Sequence, residues 1–319
     1  MPIIDMSLDE LKKYTGRNPR PEDFDEYWTS ALEELKAVDP EARFVPSGRS
    51  LPYAECYDLY FKSVRGATIH AKYVKPTHVS GPLPVILQFH GYTGAAGDWS
   101  GLLPYVSQGF AVAAMDCRGQ AGESEDTGGV KGNTHHGHII RGLDDAPDQL
   151  LFRHIFLDTV QLARVIMNLP EVDEHRVVTN GGSQGGALSL ACAALEPRIK
   201  KTVAIFPFLC DYKRVWEMDF TKGAYLEIQT FFRKFDPLHE REDEIFNRLG
   251  YIDVQHLAPR IQAETLFASG LMDTVCPPSS QFAVYNKITA PKHLKVYPDF
   301  AHEDLPGFSD IAMEFLLDI

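Results

Sequence analysis

The chain has 319 residues, 44% of them hydrophobic and 24% charged, with a formal net charge of −13. Such a composition suits a globular protein that buries its core without disulfide or metal staples. The acidic balance argues against nucleic acid and anionic membranes as partners, because both reward positive charge.

The first forty residues read as a helical extension. Pro19 and Pro21 give a start signal, and Phe24, Tyr27, Trp28, Ala31, Leu32 and Leu35 recur at helical spacing. Strand-like runs follow at 56–62 and 67–74, with Arg65-Gly66 as the turn between them. From Pro84 onward, compact apolar runs fall at 85–89, 110–116, 176–179, 202–206, 265–268 and 294–297. Helical stretches lie between several of them, at 154–169, 185–195 and 279–288. Near-continuous apolar strands alternating with helices predict an α/β protein, a mostly parallel sheet covered on both faces. Two segments interrupt the alternation: 118–153, rich in Gly, Asp and His, and 211–258, charged, aromatic and helical in pattern. Both follow strands, so both are expected at the carboxyl ends of the sheet, where sites form.

Five cysteines, Cys56, Cys117, Cys192, Cys210 and Cys276, are widely spaced and form no C-x-x-C pair, so reduced thiols and a cytoplasmic setting are expected. The opening MPIIDMSLDELKKYTG has no basic segment leading into an apolar one, so no signal peptide is expected. No apolar run is long enough to span a bilayer.

The most informative stretch is Val177-Val178-Thr179-Asn180-Gly181-Gly182-Ser183-Gln184-Gly185-Gly186-Ala187. It places G-x-S-x-G after an apolar strand and before a helix of small residues, which is the context of a nucleophile elbow. The turn is so tight that Gly181 and Gly185 must lack side chains, and Ser183 is exposed on a strained backbone. This predicts an α/β-hydrolase fold over 1–319, one domain with the helical extension at about 1–40 and insertions at about 118–153 and 211–258.

In this fold the chain order is serine, acid, histidine. His302, just beyond the last strand-like run, is the candidate base; His293 reads as exposed, and His239 and His256 belong to the insertion. Asp273 is the first acid after the run at 265–268 and is the candidate third member. Asp299 is a rival through its closeness to His302 in sequence, with a helix cap as the alternative role for Asp273. The backbone N–H groups of Tyr92, in the glycine-rich loop after 85–89, and of Gln184 are the candidate oxyanion donors.

Taken together, Arg118-Gly119-Gln120, Gly181-Gly182-Ser183-Gln184-Gly185 and His302-Glu303 resemble carbohydrate esterase family seven, the acetyl xylan esterases and cephalosporin C deacetylases, along essentially the whole chain. Residues 54–60 and 142–145 also look like its acetyl xylan esterase members. The resemblance implies removal of acetyl groups from small acetylated carbohydrates, notably xylo-oligosaccharides, and from cephalosporin C. It implies a Ser183, Asp273, His302 triad with oxyanion donors at Tyr92 and Gln184 and no metal or organic cofactor. It further implies a cytoplasmic homohexamer. A preference for acetyl needs a wall, for which Tyr92 and Phe206-Pro207-Phe208 are candidates.

Three rival readings stand beside this one. A peptidase or long-chain lipase shares the fold, which cannot by itself decide the activity. A non-catalytic binding protein would not need Ser183, Asp273 and His302 intact. A metallohydrolase could be built on His135, His136 and His138, but no H-E-x-x-H pattern flanks them, and a polar turn is the simpler reading.

Overall fold

The computed structural model describes residues 4–128, 137–220 and 223–319. It opens with α1 (Leu8–Leu11), capped reciprocally by Ser7 and Glu10, and α2 (Phe24–Lys36). Phe24, Trp28, Ala31 and Leu35 form the buried stripe of α2. The Trp28 indole N–H donates to the Tyr251 carbonyl at 3.0 Å, tying the N-terminal helix to the second insertion.

Three antiparallel strands follow: β1 (Arg43–Pro46), β2 (Ala54–Lys62) and β3 (Thr68–Pro76). The β2–β3 turn passes through Arg65 at φ 61°. The alternating units are β4 (Leu83–Phe89), α3 (Trp99–Ser107), β5 (Ala111–Met115), α4 (Leu151–Met167), β6 (Val172–Gly182), α5 (Gln184–Leu195) and β7 (Lys201–Ile205). The second insertion supplies α6 (Tyr212–Glu217), α7 (Leu226–Phe235), α8 (Glu242–Leu249) and α9 (Val254–Leu257). The chain closes with β8 (Glu264–Gly270), α10 (Pro278–Lys287), β9 (Lys292–Tyr297) and α11 (Phe308–Leu317).

One nine-stranded sheet runs β1-β2-β3-β5-β4-β6-β7-β8-β9. Everything from β5 to β9 in that order is parallel. Successive residues of a strand face opposite sides, and the two cores show it. Val177 packs into the larger core with α4 and α5, whereas Val178 joins Ile86, Val203 and Leu266 beneath Phe308, Ala312 and Leu316 of α11. Helices therefore cover both faces, as the apolar runs predict. Among the described residues no helix is long and apolar enough to cross a membrane.

Topology places the site. From β4 the chain moves one way along the sheet to β5, then returns past β4 to β6. That reversal opens a crevice at the strands' carboxyl ends. Phe89 pairs with Gly181 across β4 and β6, so the Tyr92 loop and the Ser183 turn leave the sheet side by side. Gly270 pairs with Tyr297 across β8 and β9, so the loops carrying Asp273 and His302 are also neighbours.

Several elements exceed the sequence expectation. β1 is four residues long and half-buried, α3 carries Pro104 inside it, and α11 starts from Gly307 in a left-handed conformation. None offers the long periodic pattern that makes an element readable. His293 lies within β9, not before it, with its side chain half exposed and bonded to Glu264 at 2.8 Å. In the second insertion, Tyr225, Phe231 and Phe232 are buried in the protein's own core, whereas Phe235 is exposed.

Candidate active site

A single residue, Ser183, separates the end of β6 from the start of α5, and its backbone sits at φ 56°, ψ −120°. A Cβ on Gly181 would lie 2.4 Å from the Gly185 carbonyl carbon, and one on Gly185 would lie 2.0 Å from the Phe89 oxygen. Neither position can hold a side chain unless the backbone moves. The strained serine is clamped on both sides. Its N–H donates to Ile205 at 2.9 Å, and its carbonyl accepts from the Phe208 N–H at 3.0 Å. Such a conformation costs on the order of 1–3 kcal/mol and persists because the surroundings over-determine it.

From this turn a hydrogen-bonded line runs across the strand ends. Ser183 Oγ lies 3.0 Å from His302 Nε2, and His302 Nδ1 lies 2.8 Å from Asp273 Oδ2. Asp273 is buried, so its lone pairs need partners. Its Oδ1 accepts from the N–H groups of Val275 and Cys276, each at 2.8 Å, and Gln281 Nε2 donates to Oδ2 at 3.3 Å. The carboxylate thus fixes the tautomer with the proton on Nδ1 and leaves Nε2 to accept the serine proton. The Phe206 ring packs on the imidazole with centroids 4.4 Å apart. Asp299, the sequence rival, is exposed.

The other side of the crevice is the loop after β4. Gln184 is the first residue of α5, where an N–H has no intrahelical acceptor. Tyr92 faces it from a loop braced by side chains. His90 accepts the Cys117 N–H on Nε2 at 3.0 Å and bonds Gly91 O through Nδ1 at 2.7 Å. Gln120 Oε1 accepts the Thr93 N–H at 2.8 Å, and its Nε2 donates to Gln184 Oε1 at 2.7 Å. Gln120 therefore bridges the two prospective donor segments, which gives the R-G-Q triplet a physical role. Arg118 anchors that triplet in a bidentate ion pair with Asp158, at 2.5 and 2.7 Å, both residues buried.

The structure brings Ser183, His302 and Asp273 into contact and sets Gln184 at the start of α5 with the Tyr92 loop facing it, the two joined through Gln120. Phe208 is only 1% exposed and backs the Tyr92 ring, at 5.3 Å, so within Phe206-Pro207-Phe208 it is Phe206 that meets the site. Sequence reasoning missed three residues. Gln120 reads in the sequence only as part of the Arg118-Gly119-Gln120 triplet. Glu227 reaches the Tyr92 hydroxyl from α7. The Cys276 thiol lies buried beside Ser183.

Among the described residues, Asp273, Cys276 and His302 form one group with metal-capable atoms within 4.8 Å. Two of those atoms, Asp273 Oδ2 and His302 Nδ1, are bonded to each other at 2.8 Å, and burial pushes the Cys276 thiol up. His135 and His136 lie outside the described residues. The remaining member of that loop, His138, uses Nε2 on the Gly119 carbonyl at 2.8 Å and Nδ1 on the Tyr92 hydroxyl at 3.1 Å.

A mostly parallel sheet with this strand order, a strained serine between β6 and α5, and the Ser183–His302–Asp273 line define the α/β-hydrolase fold with a serine-hydrolase arrangement at its switch point. Residues 1–319 match the family model for acetyl xylan esterase (AXE1), and the chain belongs to that family of carboxylic ester hydrolases. It is similar to acetyl xylan esterase 1 from Thermoanaerobacterium sp. JW/SL YS485, with 60% identity, a TM-score of 0.97 and 99% of each chain covered. It is also similar to acetyl xylan esterase from Paenibacillus sp. R4, at 35% identity and a TM-score of 0.93, covering 98% of this chain and 99% of that one. Acetyl esterase Axe7A from Xylanibacter ruminicola is 31% identical over 309 residues; the match takes in 94% of this chain but 66% of that longer protein.

Proposed function

We propose that this protein is a serine esterase that removes acetyl groups from acetylated xylo-oligosaccharides and related small acetyl esters, cephalosporin C among them. The carrying observation is the line from the strained Ser183 through His302 to the buried Asp273. Ser183 Oγ attacks the acetyl carbonyl carbon while His302 Nε2 takes its proton, and Asp273 holds and stabilises the resulting imidazolium. The Tyr92 and Gln184 N–H groups donate to the oxyanion; loss of one such donor costs about 3 kcal/mol of barrier. His302 returns the proton to the sugar oxygen as the ester C–O bond breaks, leaving an acetyl-enzyme. Water repeats the cycle and releases acetate.

The facing aromatic Phe206, against His302, supports a short acyl pocket. The exposed Leu226, Phe235 and Leu238 on the second insertion support assembly, and the proposed assembly is a homohexamer. Five buried, unpaired cysteines fit a reducing cytoplasm.

A panel of acetyl, butyryl and octanoyl esters tests the reading on wild type beside Ser183→Ala. Acetyl should lead in kcat/KM, and Ser183→Ala should lower kcat by about 10⁴ to 10⁶ while keeping the fold. A folded Ser183→Ala with near-normal turnover would end the serine mechanism, and equal use of octanoyl esters would end the deacetylase assignment.

A further inference from the structure

Glu227 is buried in α7, on the second insertion, and no cation pairs with it among the described residues. A lone carboxyl in such a place is costly unless every lone pair and proton has a partner. Here each does. Glu227 Oε2 accepts from the Ile139 N–H at 2.6 Å and the Ile140 N–H at 3.2 Å, both from the first insertion. Its Oε1 meets the Tyr92 hydroxyl of the loop after β4 in a short hydrogen bond.

The proton in that contact can be placed by its neighbours. His138 bonds the Gly119 carbonyl through Nε2, so Nε2 carries a hydrogen and Nδ1 is an acceptor. Nδ1 faces the Tyr92 hydroxyl at 3.1 Å, and the His138 N–H also donates to that hydroxyl at 3.3 Å. If Glu227 is a neutral acid, the chain closes with nothing left over: Glu227 O–H donates to Tyr92, and Tyr92 O–H donates to His138. If Glu227 is ionised, Tyr92 must donate to it and His138 Nδ1 faces an oxygen with no proton. Burial, which pushes the Glu227 carboxyl up to about 8 against its hydrogen bonds, favours the neutral form. Burial also pushes His138 down and Tyr92 up, so neither competes for the charge.

We infer that Glu227 is a positioning residue for the oxyanion hole, a neutral hydrogen-bonding clamp that locks both insertions onto the Tyr92 loop and so sets where the Tyr92 N–H points. Glu227 acts through Tyr92 and touches no reacting atom. A misaimed backbone donor weakens the transition state more than the ground state, so the effect belongs in kcat. The inference rests on the serine-esterase reading of the site.

The test uses purified Glu227→Ala, Glu227→Gln and Tyr92→Phe with p-nitrophenyl acetate, after each is titrated for reactive Ser183 with a fluorophosphonate. Glutamine reproduces a neutral acid: Nε2 donates to Tyr92 and Oε1 accepts from Ile139 and Ile140. Glu227→Ala and Tyr92→Phe should each lose about tenfold or more in kcat with KM within about threefold, a fraction of a lost oxyanion donor. Glu227→Gln should restore kcat to within about threefold of wild type, because a neutral amide can fill both roles. If Glu227→Ala fails to fold, Tyr92→Phe and Glu227→Gln still decide. Wild-type kcat in Tyr92→Phe or in folded Glu227→Ala overturns the inference, as does a Glu227→Gln with kcat down tenfold or more. If wild type itself takes up no fluorophosphonate on Ser183, the site reading has failed and the clamp falls with it.

Discussion

The two sides of the crevice are held by different kinds of structure. Ser183, Asp273 and His302 stand on turns at the ends of paired strands; backbone groups hold Ser183, through Ile205 and Phe208, and Asp273, through Val275 and Cys276, and Asp273 in turn holds His302. The Tyr92 loop opposite is held by the side chains of His90, Gln120 and Glu227, two of which arrive from the insertions. The Ser183 side is thus part of the sheet, whereas the Tyr92 side is held by side chains, most of them from the insertions. Substitutions on the first side should abolish the chemistry. On the second they should scale it.

The sharpest break in this comparison is at the acid. Asp273→Asn keeps the shape but removes the charge and the tautomer control, and kcat should fall by at least about 10², against about 10⁴ for the equivalent change in a well-studied protease. Asp299→Asn should stay within about tenfold, since exposed positions contribute little. Kinetics on both variants near pH 7 and pH 9 check this; a crippled Asp299→Asn beside a normal Asp273→Asn would reassign the triad.

A smaller effect is expected across the crevice. Gln120→Ala removes the bridge from Thr93 to the Gln184 side chain without touching Ser183, and kcat should drop about tenfold with KM little changed. Wild-type turnover would mean that the backbone alone holds the loop, and the contrast between the two sides would dissolve.

The smallest effect is on stability. Glu227 holds its proton up to about 8, against 4.5 when unburied. Its neutral form therefore contributes stability that is complete below about 4.5 and is lost as pH rises through about 8. The titratable groups facing it among the described residues are Tyr92, His138 and Tyr212, with Arg141 and Asp126 beyond His138. Burial pushes both tyrosines up, so they stay protonated across that window, and it pushes His138 down, toward its neutral form. Glu227→Gln cannot ionise, so its Tm should gain several degrees relative to wild type between pH 5 and about pH 8.5. A gap that stays flat would mean that Glu227 is ionised throughout.

The same division explains what the sequence made legible. Ser183 was readable because a strand, a glycine-flanked turn and a helix are adjacent in the chain. His302 and Asp273 followed because chain order and loop position after a strand are local facts too. Gln120 and Glu227 were not readable as parts of the site. Their partners lie 27 and 135 positions away, at Thr93 and Tyr92, and a polar side chain in an insertion looks the same whether it meets water or the Tyr92 loop. Cys276 was hidden for a similar reason: nothing in a lone cysteine shows that its thiol lies beside Ser183. Among the secondary elements, the half-buried β1 and the Pro-containing α3 carried too weak a period to be seen.

Acid-quenching the enzyme during steady turnover of p-nitrophenyl acetate, followed by peptide mass spectrometry, tests the central claim most directly. The proposed mechanism predicts one acetyl group on the peptide carrying Ser183, absent from Ser183→Ala and retained longer when Asp273→Asn slows deacylation. An acetyl group on another residue, or turnover that continues with no acylated peptide in a preparation that EDTA inactivates, would contradict it.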